Sequence, residues 1–79
     1  MEHQLYMNIV SNPDICNGKA TFKGTRITVK TIMEFVLAGD EDADILKSYP
    51  ALGTQDIQAA KEFTAMLLEK PSQISMVKE

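Results

Sequence analysis

The sequence predicts a mainly α protein in which a small β-hairpin precedes three helices. Apolar residues recur at helical spacing over residues 29–38 and again over residues 54–70, which predicts two amphipathic helices. Two short runs with β character, residues 20–22 and 25–27, flank Gly24, which supplies the positive φ of a tight hairpin turn. A two-stranded ribbon is marginal in water, so we expect the helices to cover its apolar face.

The length and composition of the chain limit its domain organisation and the kinds of site it can form. A chain of 79 residues with formal net charge −3 predicts one domain, residues 1–70, followed by a tail, residues 71–79. A domain of this size has a thin core, so we expect it to form a homodimer. Cys16 and His3 are the only cysteine and histidine, so neither an internal disulfide nor a zinc site is expected.

Other patterns argue against catalysis and membrane insertion. The N-terminus lacks a basic segment and a long apolar run, so it is not a signal peptide, and we expect a cytoplasmic protein. Cys16 and His3 have no third partner for nucleophilic catalysis. The acidic residues 40–44 lack the alternation and glycine of a calcium loop. We therefore expect no catalytic residue, metal or cofactor.

The N-terminal third is predicted to be extended. Residues 5–10 form a short edge strand, which lies along the hairpin or along a partner chain. Asn12-Pro13-Asp14 ends it in a turn, and Asn17-Gly18 is a second turn signal before the hairpin.

The first helix is predicted over residues 29–38. Thr28 is its N-cap, and Gly39 follows its last turn. Phe35 and Leu37 widen the apolar arc, so we expect this helix to be central and covered on more than one side.

The remaining elements are two helices and a tail. Acidic residues introduce a second helix over residues 42–48, which Pro50 ends. The third helix runs over residues 54–70 and Pro71 closes it. The tail is polar apart from Ile74 and two other apolar residues, so alone it would be disordered, and it is a candidate for folding onto another molecule.

Four basic residues mark a candidate nucleic-acid surface on the hairpin: Lys19, Lys23, Arg26 and Lys30. Three lysines on a ribbon also fit an ordinary solvated face. Arg26 is the only arginine, and we favour a structural role for it, in which it bonds main-chain carbonyls or Asp56, over a contact with nucleic acid or a partner carboxylate.

Several short motifs occur in order: Asn12-Pro13-Asp14-Ile15-Cys16 with Gly18-Lys19, Gly24-Thr25-Arg26-Ile27 with Val29, Leu37-Ala38-Gly39, Tyr49-Pro50 with Leu52, and Asp56-Ile57 with Ala59-Ala60. Over residues 9–65 the chain thereby resembles the family known as domain of unknown function 433, whose members resemble VapB-type antitoxins of type II toxin–antitoxin systems. The sequence departs from the family pattern at Ala20, where proline is usual, and at Gly53, where a Ser or Thr cap is usual.

The resemblance implies a homeodomain-like helix-turn-helix core of three helices behind an N-terminal β element. The third helix would then present four residues to DNA: Thr54, Gln55, Gln58 and Lys61. A glutamine side chain can form hydrogen bonds with adenine. This helix also carries Asp56, Glu62 and Glu69, whose charges repel phosphates, so a fold that no longer reads DNA is about equally favoured.

The resemblance also implies a partner, a toxin with a PIN-like nuclease fold. The expected function is an antitoxin that neutralises this nuclease and represses its own operon by binding DNA. The expected toxin contacts are Lys70 and four tail residues, Ile74, Met76, Val77 and Lys78. The alternatives are a DNA-binding regulator without a toxin and a structural dimerisation module.

Overall fold

A computed structural model describes residues 1–69 and shows an α+β fold. The elements in chain order are β1 (His3–Tyr6), β2 (Ile9–Asn12), β3 (Ile15–Phe22), α1 (Val29–Leu37), α2 (Asp42–Ser48) and α3 (Thr54–Glu69). The three strands form one antiparallel sheet in the order β1-β2-β3. The predicted mainly α class is wrong, because a complete sheet, and not a single hairpin, leads the chain.

The first correction concerns residues 5–10, which were predicted to be one strand. The chain instead reverses at Met7 and Asn8, so that Tyr6 pairs with Ile9 across a tight turn. Met7 adopts a φ of 48°, which is unusual for a residue with a long side chain. Met7-Asn8 is not one of the common glycine-containing turn pairs, so the reversal has no strong sequence signal.

The predicted turn at residues 12–14 is confirmed and joins β2 to β3. The Asp14 N–H donates to the Asn12 side-chain oxygen at 2.9 Å, which is the local bond that Asn supplies in turns.

Asn17-Gly18 bends the chain without ending the strand. The φ angles of Cys16, Asn17 and Gly18 are 52°, 58° and 81°, and the pairing of β3 with β2 shifts register here. The Ser11 hydroxyl donates to the Gly18 carbonyl at 2.6 Å and holds this bulge against β2.

The second correction concerns residues 25–27, which were predicted to be the returning arm of a hairpin. The Phe22 N–H donates to the Ile27 carbonyl at 3.1 Å, and an isolated bridge joins Thr21 to Thr28, but residues 25–27 form no strand. The Thr25 hydroxyl donates to the Phe22 carbonyl at 2.8 Å and accepts from the Ile27 N–H at 3.0 Å. A side chain that bonds the local backbone competes with strand pairing, so this segment is a compact loop.

The start and end of α1 agree with the prediction. The Thr31 N–H donates to the Thr28 hydroxyl at 3.1 Å, which satisfies one of the free donors of the first turn. After the helix, Gly39 has a φ of 94°, and its N–H donates to the Val36 carbonyl at 3.1 Å. The Asp40 N–H donates to the Phe35 carbonyl at 3.0 Å and completes a Schellman ending.

Helix α2 has the predicted bounds, and α3 begins at the predicted Thr54. Gly53 occupies the N-cap position of α3, because its carbonyl accepts from the Ile57 N–H at 3.4 Å. The Asp56 carboxylate accepts from the Gly53 N–H at 2.9 Å and so performs the reciprocal half of a capping box.

The core lies between the sheet and the helices. Five of its largest side chains are almost fully buried: Ile9, Phe22, Ile32, Ile57 and Phe63. Helix α1 contacts β3, α2 and α3, so its predicted central position is confirmed. Its outer side is not covered, however, because Leu37 is 80% exposed.

Candidate binding surfaces

An apolar groove runs between α1 and α3. Its volume is about 570 Å³, which is in the range of protein sites that hold small molecules or several side chains. Its apolar lining comes from β3 and the two helices: Ala20, Val29, Met33, Leu37, Phe63 and Leu67. We call it the α1–α3 groove.

Charged and polar side chains line one side of the α1–α3 groove. Lys19 follows the bulge of β3, Lys30 lies in the first turn of α1, and Glu34 lies one turn later. A second hollow of about 390 Å³, lined also by Cys16, adjoins the groove and shares these three side chains. With two lysines and one glutamate, this side of the groove, its rim, carries a net positive charge.

Exposed leucines extend the apolar surface at the other end of the groove. Leu37 and Leu68 are 80% and 79% exposed. Leu68 follows Thr64, a lining residue, by one helical turn, so both project from the same side of α3. Large apolar side chains left in water beside a groove indicate a contact surface.

Leu37 was predicted to lie on the apolar arc of a helix covered on more than one side, and not in an exposed groove. Leu37 lies outside the stripe formed by Val29, Ile32, Met33 and Val36, and it stands in the last turn before Gly39. The position of Leu37, off the main apolar stripe and at the end of the helix, is the sequence signal that identifies it as a surface residue.

The four predicted basic residues divide between two places. Lys19 and Lys30 line the α1–α3 groove, whereas Lys23 and Arg26 do not. The Lys23 N–H donates to the Asn8 carbonyl at 2.8 Å, so Lys23 lies beside the β1–β2 turn.

The structural role favoured for Arg26 is not observed. Within residues 1–69 its exposed guanidinium makes neither a hydrogen bond nor an ion pair. The Asp56 carboxylate accepts instead from the Asn8 side-chain amide, at 3.0 Å, and from the Gly53 N–H. The Cys16 thiol anchors the Arg26 backbone by donating to its carbonyl at 3.4 Å. Arg26 is therefore held at its main chain, while its charge faces solvent.

The four residues of α3 that were predicted to read DNA differ in whether their side chains already have partners within the protein. Thr54 and Gln55 are exposed at the start of the helix. Gln58 donates to Glu62 at 3.1 Å, and the Lys61 ammonium lies 3.6 Å from the Asp42 carboxylate. Two of the four side chains are thus engaged within the protein.

Glu62 gives the exposed face of α3 a negative charge next to the sheet. The Tyr6 hydroxyl donates to it at 2.5 Å, and the Tyr6 ring stacks on Phe63 with centroids 6.4 Å apart. Hydrogen bonds from Tyr6 and then from Gln58 lower the pKa of Glu62, and the same Tyr6 bond raises the pKa of the tyrosine. Strand β1 therefore flanks α3 and stabilises an anion where DNA phosphates would approach.

The predicted toxin contacts at Lys70, Ile74, Met76, Val77 and Lys78 lie outside the described residues. Within residues 1–69, no three His, Cys, Asp or Glu side chains gather as a metal site would require. Within the same range, no helix combines the length and apolar character that crossing a bilayer demands.

Comparison with known proteins gives one result. The family model described as "Protein of unknown function (DUF433)" matches residues 9–64. The match begins at β2, ends within α3, and includes every lining residue of the α1–α3 groove except Leu67. No curated protein and no solved structure matches the chain.

Proposed function

The chain belongs to the DUF433 family, and we propose that it is a non-enzymatic antitoxin that binds and neutralises a PIN-like nuclease. The observation that carries this proposal is the α1–α3 groove, an open apolar channel with Lys19 and Lys30 on its rim. A small domain that keeps Leu37 and Leu68 in water gains stability when a partner covers them.

The chemistry of the partner supports the proposal. A PIN-like nuclease holds metal ions with clustered carboxylates, so its surface near the active site is acidic. Lys19 and Lys30 complement such a surface, and the apolar groove supplies the contact that holds the complex together. The resemblance of the motifs to those of VapB-type antitoxins points to the same pairing.

The test is co-expression of the chain with the product of the adjacent gene, which the proposal predicts to be a PIN-like nuclease. We expect the two proteins to copurify and the complex to leave an RNA substrate intact, while the nuclease alone cleaves it. A nuclease that stays free and active in the presence of an equal amount of this chain would refute the proposal.

Truncation after Lys70 tests the expected role of the tail. The described residues contain six secondary-structure elements that all lie before this point, so we expect the shortened chain to fold. Loss of inhibition by the folded truncation would assign neutralisation to residues 71–79. Full inhibition would assign it to the described domain.

A second candidate function is operator binding, either for autorepression or as the activity of a regulator without a toxin. Thr54 and Gln55 favour it, because both are exposed at the N-terminal end of α3, where a helix-turn-helix protein reads bases. Replacing Gln55 and Gln58 with alanine should then relax sequence preference, and replacing Lys19, Lys23 and Lys30 with glutamine should flatten the salt dependence. Retarded migration of upstream DNA, unchanged in both variants, would place DNA binding elsewhere.

A further inference from the structure

We infer that the α1–α3 groove receives an amphipathic helix of about two turns from the partner protein, with an acidic residue at the end that meets Lys19 and Lys30. This inference rests on the proposed function and names the part of the nuclease that is bound. It assigns the main contact to the described domain.

The length of the occupant follows from α1. Lys30 and Leu37 line opposite ends of the groove and are seven residues apart on the same helix. At a rise of 1.5 Å per residue this distance is about 10 Å. A helix that fills the groove therefore presents apolar residues at positions i, i+3 or i+4, and i+7.

The walls of the groove favour a helix over an extended strand. Five of the six apolar lining residues belong to α1 and α3, whose backbone groups are already bonded within each helix. A strand laid between two helices would bury unpaired N–H and C=O groups, which is costly. A helix brings its own backbone bonds and packs its side chains between those of α1 and α3.

Charge sets the direction of the bound helix. Lys19 and Lys30 lie near the start of α1, which has no acidic residue in its first turn. An incoming carboxylate is stabilised there by both ammonium groups and by the positive end of the helix dipole. Glu34, one turn further on, repels a carboxylate placed deeper in the groove. The acidic end of the partner helix therefore meets the start of α1, and its apolar end meets Leu37.

The first experiment measures binding of the full chain to the nuclease encoded beside it. Leu37→Lys should weaken the complex about tenfold or more, because it places a charge in the apolar contact. Leu37 is 80% exposed, so the substitution should not unfold the domain. The matched control is Met7→Lys, an equivalent change at a residue that is 64% exposed and outside the groove. It should bind like the unchanged chain.

A charge-reversal pair provides the second matched comparison. Lys19→Glu with Lys30→Glu should weaken binding about tenfold or more and reduce its salt dependence. Lys23→Glu with Arg26→Glu removes the same charge from the same sequence segment, but outside the groove, and should have little effect on affinity. Equal losses from both pairs would overturn the inference, because they would indicate a broad electrostatic surface.

A photocrosslinking residue at position 30 or 37 identifies the shape of the occupant. Crosslinks about seven residues apart in one nuclease segment indicate a helix, whereas crosslinks about three residues apart indicate a strand and overturn the inference. A complex that forms normally with Leu37→Lys also overturns it, while the proposed function stands. Failure of the unchanged chain to bind the nuclease refutes the proposed function, and the inference with it.

Discussion

Replacing Asp56 with alanine should destabilise the domain more than any single change at its exposed surface. Asp56 is only 4% exposed, and each of its carboxylate oxygens accepts one hydrogen bond. One bond comes from the Asn8 amide at 3.0 Å and the other from the Gly53 N–H at 2.9 Å. The residue therefore joins the β1–β2 turn to the start of α3.

The cost follows from these two bonds. Hydrogen bonds to charged groups contribute about 1.5–3 kcal/mol each, and loss of a helix cap costs about 1 kcal/mol. Asn8 is exposed and can turn to water after the substitution, whereas the Gly53 N–H is half-buried. We therefore expect Asp56→Ala to lower the free energy of unfolding by about 2–4 kcal/mol. A domain of this length has a total of about 4–12 kcal/mol, so the loss is a large fraction.

Urea unfolding followed by circular dichroism measures this cost. A double-mutant cycle with Asn8→Ala isolates the bond between sheet and helix, and we expect a coupling energy of about 1–2 kcal/mol. The control is Asp44→Ala, which removes an exposed carboxylate from the first turn of α2 and should cost less than about 1 kcal/mol. A cost below about 1 kcal/mol for Asp56→Ala, or additive effects in the cycle, would refute the reasoning.

Three further predictions follow from other contacts. Met7→Asn should raise Tm by several degrees, since asparagine tolerates the φ of 48° better than methionine, while Met7→Ala should leave Tm nearly unchanged. Tyr6→Phe should raise the pKa of Glu62 toward its ordinary value in a carboxyl NMR titration, and by more than Gln58→Ala does. Because folding lowers that pKa, the stability that the Tyr6–Glu62 bond adds should be present at neutral pH and disappear as the pH falls through the folded-state pKa of Glu62. A difference in stability between the Tyr6→Phe variant and the unchanged chain that persists at lower pH would contradict the assignment. Light scattering at low micromolar concentration should give the mass of a homodimer, since β1 pairs on one edge only, and the mass of a single chain would refute it.

Helix boundaries were predictable because local chemistry decides them. Thr28 caps α1 with its own hydroxyl, and Gly39 adopts the left-handed conformation that ends it. Both signals act within a few residues, so they do not depend on the rest of the fold. The apolar spacing over residues 54–70 likewise predicted α3, whose Ile57, Ala60 and Phe63 are buried in the core.

The sheet was predicted poorly because the β1–β2 turn lacks the usual turn residues. Met7 takes a left-handed conformation that its side chain disfavours, and no glycine marks the reversal. In contrast, Asn17-Gly18 has the composition of a turn but forms a bulge, because Ser11 on β2 binds the Gly18 carbonyl and keeps the strand continuous. Turn composition indicates a bend in the backbone, but the partner strand decides whether pairing continues after it.

The separation of the basic residues into two groups follows from the pairing of β3 with the residues that lead into α1, which the sequence does not reveal. The bridge between Thr21 and Thr28 folds the start of α1 back onto β3. Lys19 lies two residues before Thr21 and Lys30 two residues after Thr28, so the reversal brings both to the groove. Lys23 and Arg26 lie between the two bridged residues, so they remain on the loop. Charges that are evenly spaced along the chain thus become a pair aimed at the groove and a pair at the loop. A protein partner that contacts only Lys19 and Lys30 recognises the groove, whereas a polyanion such as DNA that contacts all four basic residues recognises the whole segment. The two charge-reversal variants therefore separate protein binding from DNA binding on one surface.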